Sequence, residues 1–117
     1  MKTHLGDSGD FSKVYQKGER YDGLLMTAFV LVCNQPHHRL GVTASRRMSV
    51  RAVERNRAKR LLKETFRLHA RTLGRLQGKY DWVLNAKKTL LAVKVREPFE
   101  EFERIVKRVK SDEESNR

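Results

Sequence analysis

Between Arg46 and Arg67 nine Lys or Arg residues stand against two Glu, a local charge of +7 in a chain whose net charge is +12. These are the side chains whose type and spacing carry chemistry, and that chemistry is anion binding. On a helix with 3.6 residues per turn, Asn56, Arg57, Lys59, Arg60, Lys63, Glu64, Arg67 and Arg71 share one arc. Ala58, Leu61, Leu62, Thr65, Phe66, His69 and Leu73 share the opposite arc, which must pack. Arg55 falls over the apolar side at the N-terminal end, aimed at a groove instead of bulk water. Any surface helix sets a charged face opposite an apolar stripe. An ordinary one mixes Glu with Lys in supporting i, i+4 pairs, whereas Arg57, Arg60, Lys63 and Arg67 mostly repel one another. Phosphates would neutralise that repulsion.

Groups for bond-breaking chemistry do not assemble at any recognisable spacing. There are no paired carboxylates, no His-x-Glu metal motif and no nucleophile beside a base. Asp7 and Asp10 read as arm and helix cap, and His69, on the apolar face of the basic helix, as a core histidine. Adjacent His37 and His38 diverge in an extended loop and make a poor metal pair. Cys33 is the only cysteine, so there is no internal disulfide or cysteine metal site, and its apolar surroundings mark it as a small buried hydrophobe.

The elements that must position the basic helix follow from periodicity. Residues 1–9, with Gly6 and Gly9, read as a flexible arm. Phe11, Val14 and Tyr15 fall on one face of a short helix that Ser8 or Asp10 caps and Gly18 ends. Leu24 to Cys33 is rich in β-favouring residues and predicts a strand; Leu40 to Ser45 then returns beside it as a hairpin. Ser49 is the expected N-cap of the basic helix, and Gly74 or Gly78 its end. Tyr80 to Ala86 is a strand in which Tyr80, Trp82 and Leu84 alternate with Asp81, Val83 and Asn85. Thr89 to Val95 is ambiguous between strand and loop. Pro98 opens a last helix with Phe99, Phe102, Ile105, Val106 and Val109 as its buried stripe, and residues 111–117 read as a disordered tail. The order helix, strands, long basic helix, strand, helix gives an α+β class: a single-domain α/β sandwich over residues 10–110. If the strands flanking the basic helix are parallel, they form a βαβ-like crossover, which general rules make right-handed.

At 117 residues the chain supports one modest core. A pI near 10.4 points to a polyanion, with nucleic acid favoured over anionic lipid. No apolar run reaches the ~20 residues of a membrane span, and no signal peptide is recognisable. No membrane association and a cytoplasmic location are therefore expected.

Three stretches together resemble the protein subunit of bacterial ribonuclease P. They are Asp10-Phe11, Val14 and Gly18; then Arg39-Leu40-Gly41-Val42-Thr43-Ala44-Ser45-Arg46-Arg47; then Ala52-Val53-Glu54-Arg55-Asn56-Arg57-Ala58-Lys59-Arg60 with Phe66-Arg67. The match runs over roughly residues 5 to 110, in order. The Arg-Asn-Arg run followed by Lys-Arg, downstream of a Gly-x-x-x-Ser strand ending in two basic residues, is its most specific part. Met48-Ser49-Val50-Arg51 departs from the family's usual turn by one residue, and the arm before Phe11 is less basic than usual.

The resemblance implies an accessory subunit of an endoribonuclease, one that binds a catalytic RNA and the 5′ leader of precursor tRNA. It places the chemistry, with Mg2+, in the RNA, and neither catalytic nor metal residues in this chain. It implies catalytic-RNA contacts through Arg51, Arg55, Asn56, Arg57, Lys59, Arg60, Lys63 and Arg67, and a leader groove of Phe11, Tyr15 and Phe29 walled by Arg46 and Arg47. It also implies a left-handed crossover. Such a groove makes physical sense, because an unstacked strand offers base faces for aromatic stacking, at about 1–3 kcal/mol per base, and phosphates for basic side chains. The residues alone leave a second reading open, a structural RNA-binding protein of ribosomal or chaperone type with no part in cleavage.

Overall fold

The structure, a computed structural model, describes residues 4–6, 8–94 and 96–115. One four-stranded sheet is built from β1 (Glu19–Asp22), β2 (Met26–Val32), β3 (Arg39–Thr43) and β4 (Tyr80–Ala86), in the order β1-β2-β4-β3. Helix α1 (Ser8–Lys17) covers one face. Helices α2 (Ala52–Leu68), α3 (Ala70–Leu73) and α4 (Arg96–Ser115) pack on the other, and a 3-10 turn spans Lys88–Ala92.

The hairpin expected of the second and third strands does not form, because β4 lies between them. It pairs antiparallel with β2 and parallel with β3. Trp82, Val83 and Leu84 are fully buried, and only a central strand buries side chains that are apolar on both faces. β3, which carries Arg39, Gly41 and Thr43 on one face, is left at the edge. The parallel β3-α2-β4 connection is the expected crossover. β1, with Tyr21 its one buried side chain, is too short and too charged for its pattern to register in sequence.

Strand alternation divides the sheet chemically. Met26, Ala28, Val30, Leu40, Trp82 and Leu84 point to the α2/α4 side, where they meet Ala58, Leu62, Phe102, Ile105, Val106 and Val109. Val83, Phe29 and Leu31 point to the α1 side, against Val14, Phe11 and Leu5. Gly18 closes α1, its amide donating to the Val14 carbonyl at 2.8 Å. A Cβ there would collide with the carbonyls of Val14 and Val30, so glycine is what lets α1 lie this close to β2.

Both chain ends are better held than the sequence suggests. Of the expected arm, residues 1–3 and Asp7 lie outside the described residues, but His4 bridges to Leu40 and the Leu5 amide donates to the Leu40 carbonyl at 2.9 Å. Leu5 is buried, and Ser8 already begins α1. Of the expected tail, residues 116–117 are outside the described set, yet 111–115 continue α4. They do so because Asp112 accepts a hydrogen bond from the Tyr21 hydroxyl, and Glu113 accepts from the amides of Gln77 and Gly78 and from the Tyr80 hydroxyl.

The helix ends also shift. Arg51, not Ser49, is the N-cap of α2, and it offers no side-chain cap. The Ser49 hydroxyl instead accepts from the Arg51 amide and donates to Glu54. At the other end α2 stops at Leu68. The His69 ring takes the Thr65 carbonyl at 2.7 Å while the His69 amide turns to Phe66, so the i, i+4 ladder breaks for one residue before α3.

Buried Glu101 ties α4 to the β1–β2 turn by accepting from the amides of Leu24, Leu25 and Met26 at 2.6–3.2 Å. Glu101→Ala leaves buried amides without acceptors and should cost about 3 kcal/mol in denaturant unfolding; a loss below about 0.5 kcal/mol would show the tie to be dispensable. His38 makes a second testable lock. Its Nδ1 accepts from the Tyr80 amide and Trp82 Nε1, at 3.1 and 3.2 Å, while Nε2 faces the Leu73 carbonyl at 3.2 Å. Burial is the main cause that holds this imidazole below its ordinary value. The unfolded chain therefore binds the proton first, so stability should fall as pH drops through about 6.5. Urea midpoints at pH 7.5 and 5.5 should differ less in His38→Gln than in the parent chain.

Candidate nucleic-acid interface

Helix α2 places its cations by the rotation read from its sequence. Ala58, Leu62 and Thr65 are buried, which turns Asn56, Arg57, Arg60, Lys63 and Arg67 outward as exposed side chains. Lys59 and Arg55 are half-buried. Among the described residues, no ion pair engages Arg51, Arg55, Arg57, Lys59, Arg60 or Lys63. Arg67 differs, because Glu64 binds it with two hydrogen bonds and is itself held below the usual carboxylate range by that guanidinium. Arg55 turns back to donate to the Ser49 carbonyl at 3.0 Å. It thereby ties the helix to the turn before it, and Arg57 reaches toward the Leu91 carbonyl at 3.4 Å.

The three rings singled out in sequence do come together, on the opposite side of the sheet. Tyr15 meets Phe29 edge-on with centroids 4.8 Å apart. Phe11 packs in the same cluster with its ring on Gly41, where a Cβ would strike it. Tyr15 is 39% exposed, while Phe11 and Phe29 are half-buried. They form a partly open surface with an apolar base, neither a sealed core nor a free platform. Arg46 and Arg47 are exposed in the segment leaving β3. They line a separate cleft of about 640 Å³ with Arg51, Lys88 and Leu91, and none of the three rings borders it.

Beside the rings runs a polar row that sequence reasoning passed over. Strand register aligns Asp22 with Thr27, Thr27 with Asn85 and Asn85 with Thr43, straight across all four strands. Asn85 Oδ1 accepts from the Tyr15 hydroxyl at 2.9 Å and from the Thr43 hydroxyl at 2.6 Å. Thr27 donates to Asp22 at 2.7 Å, and Lys87 pairs with Asp22 at 3.0 Å. Arg20 stands 5.7 Å over the Phe29 ring. Alternation alone would have put Asn85 on the Val83 face; the missing signal was β1 and the strand order, without which no register connects these residues.

The geometry therefore offers one cationic helix face on which, among the described residues, Arg67 alone has an acidic partner, and one patch of rings and hydroxyls beside basic side chains. Among the described residues, no group of three or more His, Cys, Asp or Glu is arranged to hold a metal ion, and no helix is long and apolar enough to cross a membrane.

The family model described as Ribonuclease P matches residues 1–110. A ribonuclease P protein component from Clostridium kluyveri is 35% identical over 81 residues, covering 69% of this chain and 70% of that protein. One from an Exiguobacterium species is 30% identical over 106 residues, covering 91% and 89%. The fold is like that of the Staphylococcus aureus RNase P protein, with a TM-score of 0.80 at 22% identity, covering 94% and 97% of the two chains.

If the α2 cations are anion sites and not merely solvated, Arg57→Ala with Arg60→Ala should lower the salt slope of poly(U) binding by about 1.4, at about 0.7 per lost contact on a single strand. Lys107→Ala, which removes a cation facing Glu103 on α4 at 3.9 Å, should change the slope less. Equal slopes in the parent and the double variant would refute the assignment.

Proposed function

This chain belongs to the ribonuclease P protein family, and from that premise we propose that it binds the catalytic RNA through α2 and the 5′ leader of precursor tRNA across the α1 face of its sheet. The observation that carries the reading is the separation of the two surfaces. Arg57, Arg60 and Lys63, which make no ion pair among the described residues, lie on one side of the sheet, and the Phe11, Tyr15 and Phe29 cluster lies on the other. A protein with two such surfaces can hold two RNA segments at once.

In this reading the protein supplies binding and orientation. Hydrolysis of the phosphodiester bond that frees the leader belongs to the RNA, with Mg2+ held there. The α2 cations attract phosphates with little dependence on sequence, which suits a fixed RNA partner recognised by shape. On the other face the leader is single-stranded. The exposed edge of Tyr15 and the half-buried rings of Phe11 and Phe29 give its bases apolar contact, with Arg20 close to the Phe29 ring. Arg46 and Arg47 extend the positive field from β3 toward α2 and would guide the strand between the two surfaces. Helix α2 has no side-chain cap and is preceded by Arg51, so its positive end adds to that field.

Reconstitution tests the reading. The protein alone should leave precursor tRNA intact. With the cognate catalytic RNA and Mg2+ it should raise the rate of leader removal and tighten binding of the precursor over mature tRNA. Cleavage by the RNA-free chain would overturn the assignment. Binding to many structured RNAs with no stimulation would favour a structural RNA-binding protein. Within an active complex, Tyr15→Leu should weaken precursor binding about tenfold, the loss of roughly one stacked base. It should leave mature-tRNA affinity and catalytic-RNA binding unchanged. Loss of cooperative unfolding in that variant would instead assign the ring to the core.

A further inference from the structure

A second cleft, of about 990 Å³, opens between α2, α3 and the outer edge of β3. It lies on the α2 side of the sheet, away from the rings of α1. Its floor is apolar, made by Leu40, Leu61, Phe66 and Leu73. Its rim is cationic, with Arg57, Arg60, Lys63 and Arg67 along the helix. The single carboxylate on that rim, Glu64, is engaged by Arg67. A cavity of this size is in the range that holds a small organic group. Its occupant must be apolar at one end and anionic at the other.

We propose that this cleft takes one unpaired, unstacked nucleotide of the RNA held on α2, its base against Leu61, Phe66 and Leu73 and its phosphate on Arg57, Arg60 and Lys63. The inference rests on the reading that α2 binds RNA and names a contact within it. An RNA strand fits better than a free nucleotide, because the cations do not stop at the cleft. Lys59 and Arg51 continue the positive run toward the helix start, beyond the reach of one phosphate group in the cleft. A base lifted from its stack needs apolar surface in exchange, and this cleft offers it beside Arg57, Arg60 and Lys63. The phosphate contacts are sequence-neutral, whereas the cleft accepts only a position where the RNA has a base free to turn outward. The cleft therefore fixes the register of the RNA along the helix.

Ala70 is exposed on the cleft wall at the start of α3, so Ala70→Trp fills the space while leaving every cation in place. In the complex of the full chain with the catalytic RNA, the parent protein should shield one unpaired nucleotide from base-directed modification by dimethyl sulfate or carbodiimide. Ala70→Trp should restore its reactivity and weaken RNA binding about tenfold, with the salt slope unchanged. Val93→Trp fills the same cleft from another lining position and replaces Ala70→Trp if that variant does not unfold cooperatively. Unaltered affinity and an unaltered modification pattern in a folded cleft-filling variant would overturn the proposal, with RNA binding by α2 intact. A parent chain that fails to bind the RNA at all would instead overturn the underlying reading. Titration of the isolated chain with adenosine 5′-monophosphate should show no saturable binding at micromolar concentration; tight binding would assign the cleft to a free nucleotide and also overturn the proposal.

Discussion

The cationic face of α2 exists because its opposite face is locked onto Trp82 and Phe102. Arg57, Arg60 and Lys63 stand one turn apart with no acid paired to them among the described residues, and like charges at that spacing each cost a few tenths of a kcal/mol. Ala58, Leu62 and Thr65 are wholly buried on the other side, and Phe66 packs obliquely on both Trp82 and Phe102. Burying one leucine-sized side chain contributes about 1.5–3 kcal/mol. Packing therefore outweighs the repulsion severalfold, and the helix holds Arg57, Arg60 and Lys63 in place with no ion pair among the described residues. Had the helix depended on its own pairs for stability, those pairs would have occupied the groups that now face outward.

Strand β4 lets the two surfaces coexist in so small a protein. As the central strand it is apolar on both sides, with Trp82 and Leu84 serving the α2/α4 core and Val83 the α1 core. Polar residues near its two ends tie it to its surroundings. Asp81 holds the Arg39 guanidinium with two hydrogen bonds at 2.7 Å, and Asn85 joins the Tyr15 and Thr43 hydroxyls. α1 and β3 are thus linked through one amide group. That shared acceptor connects the ring cluster to the strand that leads into Arg46, Arg47 and α2.

Periodicity exposed the elements with a strong one-sided pattern. α2, β4 and the stripe of α4 lie where the spacing of Leu62, Trp82 and Phe102 puts them. What it left out depends on contacts distant in sequence. β1 is a strand because Glu19 to Asp22 pair with Thr27 to Val30, and nothing inside Glu-Arg-Tyr-Asp says so. Strand order came out wrong because a short connection between two apolar runs favours a hairpin, and the demand of β4 for a two-sided core outweighs that local preference. The break at His69 arises from a side chain competing for a backbone carbonyl, which no helical-wheel projection reveals. The candidate site was legible in part. The rings of Phe11, Tyr15 and Phe29 and the arc of cations were visible as residue types, whereas the Asp22-Thr27-Asn85-Thr43 row required the register of four strands.

The net charge of +12 acquires its location from the way acids are used inside the fold. Glu101 caps three backbone amides of the β1–β2 turn, Glu113 caps Gln77 and Gly78, Asp112 holds Tyr21, and Asp81 is bound to Arg39. Each is a carboxylate whose partners are fixed by tertiary structure, so it is not free to move toward α2. Of the two acids on α2 itself, Glu64 pairs with Arg67 and Glu54 accepts from Ser49. Charge segregation is thus a consequence of hydrogen bonding in the frame. Asp81, Glu101, Asp112 and Glu113 serve the frame, and much of the excess of Lys and Arg is displayed along the helix that borders both clefts.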